Sequence, residues 1–307
     1  MDERDGVRPL TVEWVERQLE VGERLVGAVA LHGGITAEMR RLTIGNRDGS
    51  TRELVLRSVV SEPDAEDWLN REAAALTLLV ETGVTAPELV AVDPTGAQCE
   101  YPSLLMTYLP GRTVLDDEGV ETRVPLLARQ LVAIHALRPA ERPPTFVTLT
   151  TADTVVIPEG ADPAIWGTAI DMLRQPAPPY EGCFLHRDFH PGNVLFDGAR
   201  ITGVVDWAGP CWGPADLDVA HCATNLALVH GPEWGLRLAE AYQEAGGKLK
   251  DLYWQVRDAL SFSEELDAVS KPWRDAGRTD LTTRVVAERL DAYVTALVGG
   301  PDRGRTR

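Results

Sequence analysis

The hydrophobic rhythm of the chain changes once, at Pro110-Gly111. Ahead of that break, "RLVGAVALHGG", "ITAEMRRLTIGN" and "RELVLRSVV" read as three strands, with Gly33-Gly34 and "NRDGST" as the turns between them. "DAEDWLNREAAALTLLVETG" has helical periodicity, an acidic first turn and a glycine just past its end. "ELVAVD" and "PSLLMTYL" read as two more strands, and residues 11–20 as a short opening helix. Behind the break, "TRVPLLARQLVAIHALRP" is an amphipathic helix ended by proline, and helices are expected near 215–227, 232–246, 249–266 and 280–298. Residues 139–162 are proline-rich and read as a long surface connection; the tail "GGPDRGRTR" is expected to be disordered. The pattern predicts an α+β chain in two lobes with a cleft, the first small and strand-rich, the second larger and mainly helical. The expected boundaries are 1–106, a hinge at 107–111, and 112–307.

A length of 307 residues suffices for two such lobes with a real core. No apolar run reaches the length of a membrane span, and "MDERDGVRPL" lacks the apolar centre of a secretory signal, so a cytoplasmic protein without a membrane partner is expected. Four scattered cysteines with no C-x-x-C pair fit free thiols better than a disulfide frame or a zinc site. A net charge of −17 argues against a nucleic-acid partner, whose phosphates require basic surface. It suits a cationic small substrate, and it equally suits a merely acidic, soluble surface.

The chemistry concentrates in "HRDFHPGNVLF" (186–196) and "ITGVVDWAG" (201–209). The first is too polar and too Gly/Pro-broken for a helix; the second reads as a strand ending on a carboxylate. An Asp fixed on a loop can take a proton from an alcohol. A nearby Asn and a second Asp offer hard oxygen ligands of low charge, the kind Mg²⁺ prefers beside phosphates. Asp188 is therefore a candidate base, and Asn193 with Asp206 a candidate metal pair. A tight hairpin around "DGAR" would set Asn193 at the start of one strand and Asp206 at the end of its partner. A metallohydrolase reading, with His186, Asp188 and His190 as ligands, is short of donors in a chain with six histidines. An inactive nucleotide-binding regulator is a third alternative.

These motifs resemble the protein-kinase signature: H-R-D, an Asn five residues after the Asp, then an Asp closing a later strand. "LHRDFHPGNVLF" followed by "VVDWAG…WGPADLDVAH" is closest to the aminoglycoside phosphotransferase family of small-molecule kinases, over roughly 25–225. The resemblance implies a protein-kinase-like fold and an ATP- or GTP-dependent transfer, with Mg²⁺, of a phosphoryl group to an alcohol acceptor. The acceptor would be a small hydroxylated antibiotic or metabolite. It implies Asp188 as catalytic base, Asn193 and Asp206 as metal ligands, and His186 and Asp218 as supports of the catalytic loop. Gly33 and Gly34 would form the phosphate lid, with Thr36-Ala37 where the family often has Ser-Asn, and Met106, Thr107 and Tyr108 would meet the adenine edge. Only three lysines occur, the first at Lys248, so Arg57 stands in for the usual cation, with Glu72 as its helix acid.

Acids that could bind acceptor amines are Asp116, Asp117, Glu118, Glu264, Glu265 and Asp267, each equally readable as a solvated side chain. Trp254 and Trp273 could line an apolar acceptor pocket or fill the core. His190, His221 and Asn225 read as packing residues, and Asp216 as a surface or helix-capping carboxylate. Oligomeric state is left open.

Overall fold

The computed structural model describes residues 6–31, 37–148 and 150–299. It divides into two compact units, Met1–Gly111 with Thr202–Gly209, and Arg112–Ile201 with Pro210–Arg307.

The first unit is built on one antiparallel sheet of β1 (Arg24–Leu31), β2 (Ala37–Gly45), β3 (Thr51–Val59), β4 (Leu89–Asp93) and β5 (Ser103–Thr107), in the order β1-β2-β3-β5-β4. The β2–β3 hairpin keeps an unbroken register from Ala37 opposite Val59 to Gly45 opposite Thr51. Its turn is closed by Asn46 N donating to Ser50 O, and Gly49 takes a φ of +85° that a side chain would resist.

Alternation along β3 then decides which residue faces which way. Leu54 and Leu56 join Leu25, Leu42, Ile44 and Leu105 in a core cluster with Trp14 and Val15 of α1 (Pro9–Arg17). Each such side chain, fully buried, contributes about 1.5–3 kcal/mol. Arg57 has the opposite parity. The free N–H groups at the start of α1 are met from a distance, since Leu10 N and Thr11 N both donate to the Glu100 carboxylate. Between β3 and β4 runs α2 (Ala65–Leu79), whose buried positions include Leu69, Glu72, Leu76 and Leu79.

The second unit is mostly helical: α3 (Val120–His135), α4 (Pro163–Arg174), α5 (Ala215–His230), α6 (Pro232–Glu244), α7 (Leu252–Ser261), α8 (Leu266–Asp275) and α9 (Thr283–Val298). Helix α5 is its axis, with fourteen buried residues on every face, packed by α3, α6, α7 and α9. Its last carbonyls, at Leu228 and Val229, accept from Arg289 of α9. Strands β6 (Gly182–Leu185) and β9 (Cys211–Pro214) pair antiparallel; β7 (Val194–Asp197) is followed by β8 (Arg200–Val204), whose last three residues belong to the first unit.

Helices α4 and α8 are not expected from the sequence, and α7 is shorter than expected. Helix α4 hides at the end of the proline-rich stretch: Asp162 is its N-cap, accepting from Ala164 N, and Pro163 its first residue. The helix expected over 249–266 ends at Ser261, where a 3₁₀ turn (Phe262–Glu264) separates it from α8. All four cysteines are buried and unpaired. Among the described residues no helix is long and apolar enough to cross a membrane.

Candidate active site

In the second unit the polar loop after β6 hangs from one carboxylate. Asp218, in the first turn of α5, is fully buried and accepts from His186 N and Arg187 N, both at 2.8 Å. His135 Nε2 lies 3.3 Å from its second contact oxygen, Oδ2. Burial opposes its charge, but the His135 contact and the backbone donors outweigh burial and hold Asp218 below the ordinary carboxylate range. The brace serves a strained backbone: Arg187 has φ +77°. Arg187 and Asp206 (φ +63°) are the only non-glycine residues with positive φ among the described residues, a strain of about 1–3 kcal/mol each.

Asp188 follows directly. Its N–H donates to His186 Nδ1 at 3.2 Å, and its carboxylate is held at both oxygens. Asn193 Nδ2 donates to Asp188 Oδ2 at 3.0 Å and to Asp188 O at 2.9 Å; His221 Nε2 lies 3.1 Å from Oδ1. A 3₁₀ turn (Pro191–Asn193) sets the asparagine, closed by Asn193 N on His190 O and Gly192 N on His190 Nδ1. Burial pushes against the Asp188 charge, yet the His221 hydrogen bond and the neighbouring His190 and His221 rings bring it well below the usual carboxylate range. Its side chain remains 49% exposed, so it can receive a partner from solvent.

In the first unit, Arg57 of β3 meets Glu72 of α2 and Asp206, two residues past β8. Nη1 is 3.3 and 3.2 Å from the two Glu72 oxygens and 2.8 Å from Asp206 Oδ1. Glu72 is 1% exposed. Burial drives its pKa up to about 7, opposed by Arg57 and assisted by the charge of Asp206. For Arg57, burial favours loss of charge, and the two carboxylates more than restore it.

The sequence-predicted residues thus form Arg57–Glu72–Asp206 in one unit and Asp188–Asn193 with His186–Asp218 in the other. Met106 and Thr107 lie in β5, Met106 opposite Val55. Thr107 N donates to Glu88 O at 2.9 Å and Tyr108 N to Glu53 O at 3.4 Å, so the sheet already takes these two donors. Gly33 and Gly34, the expected phosphate lid, lie outside the described residues.

Several acids offered to acceptor amines are engaged elsewhere. Asp117 pairs with His230 (2.7 Å) and Arg278 (3.1 Å), Glu264 accepts from Thr154, and Asp267 binds Arg274 and Thr283. Trp254 and Trp273 are core residues, 1% and 5% exposed. Asp216 is corrected from surface or cap to buried brace: Oδ1 accepts from Lys250 N and Asp251 N, ordering the turn before α7.

His221, read from the sequence as a packing residue, contacts a sequence-predicted site residue. It touches Asp188, and its Nδ1 lies 3.3 Å from Asp258 Oδ1 on α7. A signal for it existed: three residues after Asp218, it shares that residue's helix face. No local signal marks Asp258, whose contact is long-range. Among the described residues, no group of three or more His, Cys, Asp or Glu side chains is arranged to hold a metal ion.

A five-stranded antiparallel sheet followed by a helical unit is the architecture of kinase-like phosphotransferases, and solved structures share that fold. A thermostable mutant of aminoglycoside phosphotransferase APH(4)-Ia, solved as a ternary complex with ADP and hygromycin B, superposes with a TM-score of 0.59 at 17% identity, covering 89% of this chain and 95% of that one. Macrolide 2'-phosphotransferase MphH from Brachybacterium faecium gives 0.57 at 17% identity, over 97% and 99%. A macrolide 2'-phosphotransferase type I gives 0.57 at 19%, over 92% and 97%. No curated protein matches the sequence. The phosphotransferase enzyme family model matches residues 28–260, and the chain belongs to that family. It is a small-molecule phosphotransferase.

Proposed function

We propose that the chain transfers the γ-phosphoryl group of ATP or GTP to a hydroxyl of a small acceptor, an aminoglycoside-like antibiotic or another antibiotic or metabolite, by direct in-line displacement. The reading is carried by the state of Asp188. Its two oxygens are each fixed by one donor, His221 and Asn193, while the side chain is half exposed. Each oxygen keeps a lone pair, so a hydroxyl can dock on a carboxylate whose rotamer is already set. Asp188 orients that hydroxyl and takes its proton as the phosphorus–oxygen bond forms. Asp218 keeps the loop in place through His186 and Arg187.

Arg57 binds the nucleotide phosphates. Its Nε is buried without a hydrogen-bond partner, a demand that a phosphate oxygen can meet, and Glu72 holds the guanidinium from behind. The donors suit Mg²⁺ in kind. Asn193 spends its Nδ2 on Asp188, which leaves Oδ1, and Asp206 offers a carboxylate 38% exposed; both are hard oxygen ligands. When bound, the ion neutralises and orients the phosphates. Residues Met106–Tyr108 and the glycines Gly33 and Gly34 would border the nucleotide.

Relatives named for hygromycin B and for macrolides support testing both acceptor classes. The test is ATP labelled in its γ-phosphate, incubated with aminoglycosides, macrolides, peptide antibiotics and amino-alcohols against a blank without acceptor. Label is expected on one acceptor and not on the protein. Labelled protein at Asp188 overturns direct transfer, and phosphate release from an ester without nucleotide favours the metallohydrolase alternative.

A further inference from the structure

His221 sits between two acids. Nε2 is 3.1 Å from Asp188 Oδ1 and Nδ1 is 3.3 Å from Asp258 Oδ1. A neutral imidazole has one N–H, so it can serve only one of them and would turn a lone pair toward the other. An imidazolium serves both. The remaining surroundings agree, Asn225 excepted. Asp258 Oδ2 is buried without a hydrogen-bond partner, so the acid depends on the ring for its compensation. Phe262 lies against the imidazole at 5.5 Å between centroids and His190 at 6.0 Å, edge-on. Asn225, one turn further along α5, donates an amide hydrogen from Nδ2 to His221 O at 2.9 Å; that nitrogen, a donor only, lies 3.3 Å from Nε2 and is the one neighbour that favours a bare Nε2, so the two carboxylates must outweigh it. The charged groups facing the ring are thus Asp188 from the catalytic loop and Asp258 from α7, with His190 the titratable neighbour.

We propose that His221 is a positioning residue for phosphoryl transfer, an imidazolium strut anchored on Asp258 that fixes the Asp188 carboxylate for the acceptor hydroxyl. The proposal rests on Asp188 being the base. One loop and two helices converge to build the strut: Asp188 hangs from α5 through Asp218, His221 rises from the same helix one turn later, and Asp258 closes it from α7. A loop rotamer is thereby tied to the unit's central packing. Electrostatics point the same way: burial alone would discharge the ring, but the Asp258 charge and the hydrogen bonds to both acids raise His221 to about 10.

The experiment has two arms on the full chain. In the first, nitrogen-15-labelled protein is read at about pH 8, where an ordinary histidine is neutral, with His221→Gln identifying the ring resonances. Both ring nitrogens of His221 are expected to be protonated in the wild type, and this state is expected to be lost in Asp258→Asn. A neutral ring in the wild type overturns the strut. In the second arm, ATP turnover is followed with water and with hygromycin B as acceptors. His221→Ala is expected to lower kcat by about 100-fold with the nucleotide KM unchanged, and His221→Gln, which restores one donor to Asp188, to recover part of it. Asp258→Asn, nearly isosteric, covers the case in which the alanine variant does not fold, and should lower kcat in the same sense. An active wild type whose variants match it overturns the strut alone. A wild type that turns over no nucleotide overturns the base assignment and the strut together.

Discussion

Arg57 Nη1 donates to Asp206 Oδ1 at 2.8 Å while resting 3.2–3.3 Å from both oxygens of Glu72, so one nitrogen ties a strand, a helix and the second residue past β8 together. The sheet's alternation makes this possible. Leu54 and Leu56 spend one face of β3 on the core, and the odd parity of Arg57 sends its guanidinium to the other.

Replacing Arg57 by alanine would strand Glu72, 1% exposed, without its cation. Loss of one partner from a buried pair costs about 3–5 kcal/mol. Denaturant titration should show Arg57→Ala destabilised by an amount in that range, with Glu72→Gln in the same background recovering much of the loss. Arg57→Lys should fold, yet show a nucleotide KM raised about tenfold, because an ammonium lacks the fork.

Glu72 also gives a pH dependence. Its folded pKa, about 7, lies above the ordinary 4.5. The folded state therefore holds the extra proton between those values, and the resulting stability, full below the unfolded pKa, is lost as pH rises through about 7. Unfolding free energies between pH 4.5 and 7 should fall in the wild type relative to Glu72→Gln, by on the order of 1–3 kcal/mol.

Asp218 has the opposite sign. Its pKa is depressed, so its contribution is present above the unfolded value and disappears as pH falls below about 4. Asp218→Asn keeps one acceptor and turns an amide N–H₂ toward a backbone donor, leaving His186 N or Arg187 N unmet. A loss of about 1.5–3 kcal/mol is expected. The variant should also show a flatter acid limb in thermal melts taken across pH, and weaker phosphoryl transfer, since the Arg187 backbone would relax.

The elements with strong local signals were legible in the sequence. The β2–β3 hairpin carries its turn chemistry in "NRDGS", α2 its acidic first turn, and the catalytic loop its spacing of His, Asp and Asn. Arg57 and Glu72 were found by their place in a resemblance, and the structure joins them at 3.2 Å. What stayed hidden is set by contacts distant in the chain. Asp258 lies 70 residues after Asp188 and 37 after His221, and nothing in "QVRDALS" announces a carboxylate turned inward. Asp216 looked like a cap because its buried role depends on a turn 34 residues away. Helix α4 was masked by the prolines around it, one of which in fact starts it.

The most direct measurement compares Asp188→Asn with the wild type. Nucleotide affinity is read by calorimetry and transfer to the acceptor by label from the γ-phosphate. If Asp188 takes the hydroxyl proton, the variant should bind nucleotide within about threefold of the wild type and lose transfer by about 100-fold or more. Undiminished transfer by Asp188→Asn would contradict the account.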